Sequence, residues 1–143
     1  MIERMGIRSG DVVFEVTERE ALPHISELSV MMEGLRRKGI SLALDDFGSG
    51  FSSFIYLKYL TVDYIKIEGS FIKSLSINNG DRIMVEHIRG MAHDFGVLTI
   101  GEYVEDRRTH EILDAIGVDF GQGHYYGFPA PAPLGGLGSA AVL

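Results

Sequence analysis

The stretch Ser41–Ser53, SLALDDFGSGFSS, decides how the chain is read. An apolar run ends in two adjacent acids, and a glycine-rich loop follows. Taken alone, Asp45 and Asp46 fit a turn or the cap of the next helix. Neighbouring carboxylates repel each other, however, and a bound cation would offset that repulsion. The flanking segments carry the choice between the two readings.

Upstream, DVVFEVTE (11–18) is β-branched and aromatic and reads as a strand. ALPHISELSVMMEGLRRKG spaces Leu22, Ile25, Leu28, Met31, Met32 and Leu35 as on one helix face, with Gly39 as the stop. ISLALDDF is the second strand, and SSFIYLKYL a short helix capped by Ser52 or Ser53. VDYIKIE is the third strand. DRIMVEHIRGMAHDFG is an amphipathic helix through Ile83, Met84, Ile88, Met91 and Phe95. VLTIGEYVE is the fourth strand, RRTHEILDAIG a helix ending at Gly117, and VDFGQG a fifth short strand. The Pro/Gly/Ala-rich end, FPAPAPLGGLGSAAVL, reads as a loose tail. The expected organisation is one folded region over 1–133 and a flexible tail over 134–143.

Strands alternating with helices imply a parallel α/β sheet. An open doubly wound sheet and a (β/α)8 barrel compete. The GSG after Phe47 lacks the third glycine of a dinucleotide-binding loop and follows two acids, which disfavours the open sheet. Every expected strand also delivers polar groups at its C-terminal end: Glu15 and Glu18, Asp45 and Asp46, Lys66 and Glu68, Glu102 and Glu105, then Gln122. In a TIM-type barrel those ends form one mouth, where active sites sit. The fold expected is therefore a partial (β/α)8 barrel of about five parallel β/α units.

Bulk properties exclude several classes. The chain has 143 residues, no cysteine and a net charge of −7. Disulfides and thiolate metal sites are excluded, and an acidic chain is a poor partner for DNA. No apolar run approaches the roughly 20 residues of a membrane span, so no membrane insertion and a cytoplasmic location are expected. Several carboxylates in one mouth require cations, and oxygen donors suit Mg²⁺, Mn²⁺ or Ca²⁺. Two metals about 4 Å apart activate water and clamp a phosphoryl group. Lys66 adds a positive charge for the developing transition state. Taken singly, Lys66, Glu18 and Gln122 read as ordinary structural residues. The histidines show no ligand spacing, and Tyr125-Tyr126 reads as core rather than as a base-stacking platform.

The segments FEVTE, LALDDFGSGFSSFIYLKYLTVDYIKIEGSFI, MAHDFGVLTIGEYVE and LDAIGVDFGQGHYYGFPAPAP resemble the C-terminal part of the EAL domain family, in order and spacing, from about Asp11 to Pro133. The resemblance implies a modified TIM barrel that hydrolyses cyclic di-GMP to pGpG with Mg²⁺ or Mn²⁺. It implies metal-binding roles for Glu15, Asp45 and Asp46, and an anchor for the loop after the aspartates in Glu18. It implies catalytic roles for Lys66, which contacts the attacking water, and Glu102, with Glu105 and Gln122 on the substrate side. It also implies a homodimer or larger.

The departures shape the expectation. The Glu-Ala-Leu segment and the asparagine strand after it belong upstream of residue 1, so about three N-terminal strands are expected to be missing. GEYVE stands for A-E-G-V-E, placing Tyr103 at a glycine position, and KIE stands for K-I-D, placing Glu68 at an aspartate position. The reading is a phosphodiesterase domain weakly active or inactive by itself. The alternative is a degenerate module that binds a partner protein or senses cyclic di-GMP without cleaving it. Open barrel edges, with Leu42, Leu44, Ile65 and Ile67 on an uncovered inner face, are expected to drive self-association.

Overall fold

The computed structural model describes residues 9–50, 53–128 and 141–142. Ser52, offered above as a helix cap, and most of the expected tail lie outside the described residues. The chain divides into two compact units, Met1–Ile65 and Lys66–Leu143.

The first unit is built on two parallel strands, β1 (Val13–Thr17) and β2 (Ser41–Phe47). Their register pairs Val13 with Ser41, Glu15 with Ala43 and Thr17 with Asp45. Between them run α1 (Glu18–Ala21), a 3-10 turn opened by Leu22-Pro23, and α2 (Ile25–Arg36). The helix α3 (Ser53–Tyr59) follows β2. Leu42, Leu44 and Ile65 are completely buried, and Met32, Phe47, Tyr56 and Ala21 lie in the same core. Burial of each large apolar side chain stabilises by about 1.5–3 kcal/mol. These leucines therefore pack inside the unit, and the expectation of an uncovered face at Leu42, Leu44, Ile65 and Ile67 is wrong. The apolar exposure in this unit's sheet falls instead on β1, at Val13 and Phe14.

The strand β3 (Tyr64–Ile67) spans the boundary between the units. The second unit continues with α4 (Gly69–Ser74), α5 (Asn79–Asp94), β4 (Leu98–Gly101), α6 (Arg107–Ile116) and β5 (Phe120–Gly121). Its core holds Ile67, Ile72, Val85, Ala92, Val104 and Leu113, all fully buried. β4 and β5 pair in parallel. A short β6 (Ala141–Val142) pairs antiparallel with β5 through Phe120 and Gly121, on the stretch read as tail. α4 is absent from the sequence reading. The Glu68 carboxylate, assigned there to a strand end, accepts the Ser70 N–H at 3.4 Å and starts that helix. β4 stops at Gly101, so Glu102 and Glu105 stand beyond the strand instead of on it.

Two aspartates tie the beginnings of strands together. Asp63 accepts the Leu42 N–H at 2.8 Å and returns its own N–H to the Leu42 carbonyl at 2.9 Å. Asp119 accepts both the N–H and the hydroxyl of buried Thr99, at 2.8 and 2.7 Å. Both sit in a Val-Asp-aromatic triplet whose valine is buried. α6 opens on Asp106, whose carboxylate accepts the Thr109 N–H at 2.8 Å, and closes on Gly117 at φ +85. The Thr109 hydrogen bond holds the Asp106 carboxyl below the ordinary aspartate range. A depressed folded-state pKa means that the cap contributes above the ordinary range and is lost as pH falls through the lower folded value. Asp119→Ala strands two buried polar groups of Thr99 and is expected to cost about 2 kcal/mol. Urea unfolding measures it, and a loss under about 0.5 kcal/mol contradicts the assignment.

Candidate active site

The first unit places three acids from the sequence reading at its parallel pair. Partners across a strand pair and residues two apart share a face, so Glu15, opposite Ala43, lies on the same sheet face as Asp45. Asp45 is partly buried, and its carboxylate accepts the Asp46 N–H at 3.1 Å. Strict alternation would turn Asp46 to the opposite face. It adopts φ +55 instead, and its carbonyl accepts the Ser49 N–H in the turn that leaves the strand. Aspartate tolerates this left-handed conformation better than most residues. The adjacent acids therefore mark a strand that breaks its alternation.

Glu18 is the first residue of α1 and is only 3% exposed. Its carboxylate accepts the Gly48 N–H at 3.2 Å, and a Cβ on Gly50 would stand 2.5 Å from Glu18 Oε1. The buried acid thus reaches the loop after the aspartate pair by a side-chain bond to its backbone. Tyr56, on α3, completes the arrangement. Its hydroxyl donates to the Glu18 carbonyl at 2.8 Å, and burial followed by the Glu18 charge raises its phenol pKa. No periodicity signal marks Tyr56, because a core aromatic on a helix looks the same whether or not its hydroxyl is used.

The second unit holds the remaining residues. Lys66, on β3, is 5% exposed, and its Nζ lies 2.9 Å from Glu102 Oε1. Both side chains are largely buried, so the pair escapes most of the solvent screening that weakens surface ion pairs. Gln122 follows β5 with its side chain exposed; its N–H donates to the Gly101 carbonyl at 2.9 Å and its carbonyl accepts the Val104 N–H at 3.0 Å. Its backbone therefore brackets Glu102 and Tyr103. Glu105 is exposed in the connection to α6. Glu68 serves the α4 backbone, as described above.

Tyr125 and Tyr126 divide. Tyr126 is half-buried, and its hydroxyl lies 3.0 Å from His110 Nδ1. Burial, with Tyr125 and Asp114 nearby, pushes its phenol up to about 12. Tyr125 remains exposed and stacks on His110 with centroids 5.3 Å apart. Among the described residues, no helix is long and apolar enough to cross a membrane.

The family model for the EAL domain matches residues 1–129. Cyclic di-GMP phosphodiesterase PdeB of Shewanella oneidensis is 42% identical over 125 residues, 87% of this chain and 15% of that protein. Cyclic di-GMP phosphodiesterase PdeL of Escherichia coli is 32% identical over 131 residues, 92% of this chain and 36% of that protein. Among solved structures, the PaMucR phosphodiesterase in complex with c-di-GMP aligns with a TM-score of 0.85 at 31% identity, over 92% of this chain and 53% of that one. The manganese/cy-diGMP complex of Klebsiella pneumoniae BlrP1 aligns at 0.83 with 27% identity, over 90% and 33% of the two chains. The chain thus spans about half of the first solved structure and a smaller share of the curated relatives. The strand–helix alternation is that of part of a TIM-type barrel, as the sequence reading expected. The chain belongs to the EAL domain family.

Proposed function

We propose that this chain carries residues of a metal-dependent phosphodiesterase site that takes cyclic di-GMP and opens it to linear pGpG. The observation that carries the reading is the buried Lys66–Glu102 pair, set beside relatives named as cyclic di-GMP phosphodiesterases. Charged groups withdrawn from solvent cluster at functional sites, and in an α/β barrel those sites gather at the strand ends.

Glu15, Asp45 and Asp46 are the residues proposed to hold divalent cations. Their donor set fits: it is all oxygen, two of the acids share one sheet face, and Asp46 departs from alternation at the strand end. Such donors suit Mg²⁺ or Mn²⁺. When bound, a cation of this kind lowers the pKa of water and neutralises phosphoryl charge. Lys66 orients the attacking water and offsets the charge developing on the phosphorus oxygens. Glu102 holds the Lys66 ammonium in place. Glu18 fixes the loop after the aspartates, keeping the two acids at the strand end. Gln122 and Glu105 contact the nucleotide. The proposed setting is a cytoplasmic homodimer or larger.

A second reading rests on Tyr103. An exposed phenol in a left-handed conformation, next to Glu102, stands where the motif resemblance has glycine. That residue favours a domain that binds cyclic di-GMP without cleaving it.

Millimolar Mn²⁺ or Mg²⁺ is expected to raise the melting temperature. A cation at 100 times its Kd stabilises by about 2.7 kcal/mol. The shift is expected to vanish in Asp45→Asn/Asp46→Asn. An equal shift in the double variant places the cation elsewhere.

Chromatography of cyclic di-GMP incubated with the chain and Mn²⁺ tests turnover. At most slow formation of pGpG is expected from the chain by itself, with the rate reduced a further ~10²-fold or more in Lys66→Ala. Cation-dependent nucleotide binding with no product establishes the second reading instead.

A further inference from the structure

β4 and β5 are in register at Ile100 with Phe120 and Gly101 with Gly121. The Gln122 N–H continues that ladder by donating to the Gly101 carbonyl at 2.9 Å. In an uninterrupted parallel ladder the Gln122 carbonyl would next accept from residue 103. It accepts from Val104 instead, at 3.0 Å. One extra residue has been inserted opposite Gln122, which makes a β-bulge, and Tyr103 within it has φ +54. Gly123 closes the far side, since a Cβ there would collide with the Val104 backbone.

Bulges re-aim neighbouring side chains. The neighbour here is Glu102, whose carboxylate meets Lys66 at 2.9 Å. Glycine adopts a left-handed bulge conformation freely, whereas a bulky aromatic is strained in it. Two contacts hold the tyrosine there. Its ring packs so closely on Gly69 that no Cβ fits at that position. Lys73 Nζ lies 3.9 Å from the ring centroid, a cation–π contact. Gly69 and Lys73 are four residues apart on α4, one helical turn, and α4 begins directly after the strand that carries Lys66. The ends of β3 and β4 are therefore bridged twice, once by Lys66 with Glu102 and once by α4 with Tyr103.

We infer that Tyr103 is a positioning residue: clamped against Gly69 and Lys73 of α4, its ring holds the bulge that keeps Glu102 on Lys66. The ring does this work, and the hydroxyl is dispensable. Only the consequence for turnover rests on the function proposed above; the clamp itself stands on the unliganded chain.

The test is solvent exchange of the Lys66 ammonium protons, followed by NMR on ¹⁵N-lysine-labelled full chain. The unsubstituted chain and Tyr103→Phe are expected to show the same slow exchange. Tyr103→Gly relieves the backbone strain but removes the clamp, and is expected to speed exchange by roughly tenfold or more while the amide spectrum stays dispersed. Should that variant not fold, Lys73→Ala replaces it, with faster exchange again expected. Unchanged exchange in the folded variant overturns the inference, and so does Tyr103→Phe behaving like Tyr103→Gly. A residue that merely filled space would alter melting without altering Lys66. Where cyclic di-GMP is hydrolysed, Tyr103→Phe is expected to leave both kcat and KM unchanged. Absence of turnover in every form counts against the proposed function and leaves the ammonium readout decisive for the clamp.

Discussion

The contact between Lys66 and Glu102 is the constraint around which the local backbone at the ends of β3 and β4 is arranged. Taking both charges out of water carries a desolvation penalty that the pairing does little more than offset, so such a pair is a weak source of stability. Its local structure is nonetheless elaborate. β3 ends one residue past Lys66, and Glu68 turns the chain into α4. β4 breaks its ladder immediately before Glu102, and Gln122 fixes the break from β5 through two backbone bonds.

Carboxylates at opposite ends of the strands have different work. Asp63 and Asp119 precede β3 and β5, and one oxygen of each accepts a backbone N–H, of β2 and of β4 respectively. They stitch strand beginnings. Asp45 and Asp46 lie toward the end of β2, where an α/β barrel collects its reactive groups, and Glu15, in the middle of β1, shares a sheet face with Asp45. Glu18 stands between the two kinds: it is nearly as buried as a core residue, yet its carboxylate bonds the loop that follows the aspartates. Buried carboxylates need such partners. Here the partner is a loop backbone, so satisfying the acid also positions the loop.

Much of this was legible in the sequence, for identifiable reasons. The β-branched runs around Val16 and Ile65 mark strands because those side chains fit a pleated, buried surface, and the short apolar run around Leu42 reads as a buried strand. The helix from Asn79 to Asp94 announces itself by period. α4 does not: Gly69, Ser70 and Ser74 are poor helix formers, and its start depends on an acid that reads equally well as the end of a strand. The bulge at Tyr103 is silent too, because inserting one residue into TIGEYVE leaves no local pattern. Likewise, Leu42 and Leu44 alternate as any strand does, and alternation does not say which face is covered. The candidate acids were legible as a group through their recurrence at strand ends. The loop contact of Glu18 was implied by the family resemblance, whereas the backbone bonds of Gln122 emerged only with the structure.

The central claim is that the charged groups at these strand ends receive cyclic di-GMP together with a divalent cation. Calorimetric titration of cyclic di-GMP into the chain, with Ca²⁺ present and then with the cation removed by chelation, tests it most directly. The account predicts a saturable heat with Ca²⁺ that disappears on chelation and is lost in Lys66→Met. Absence of saturable binding in the presence of the cation, by a chain that is folded under the same conditions, would contradict it.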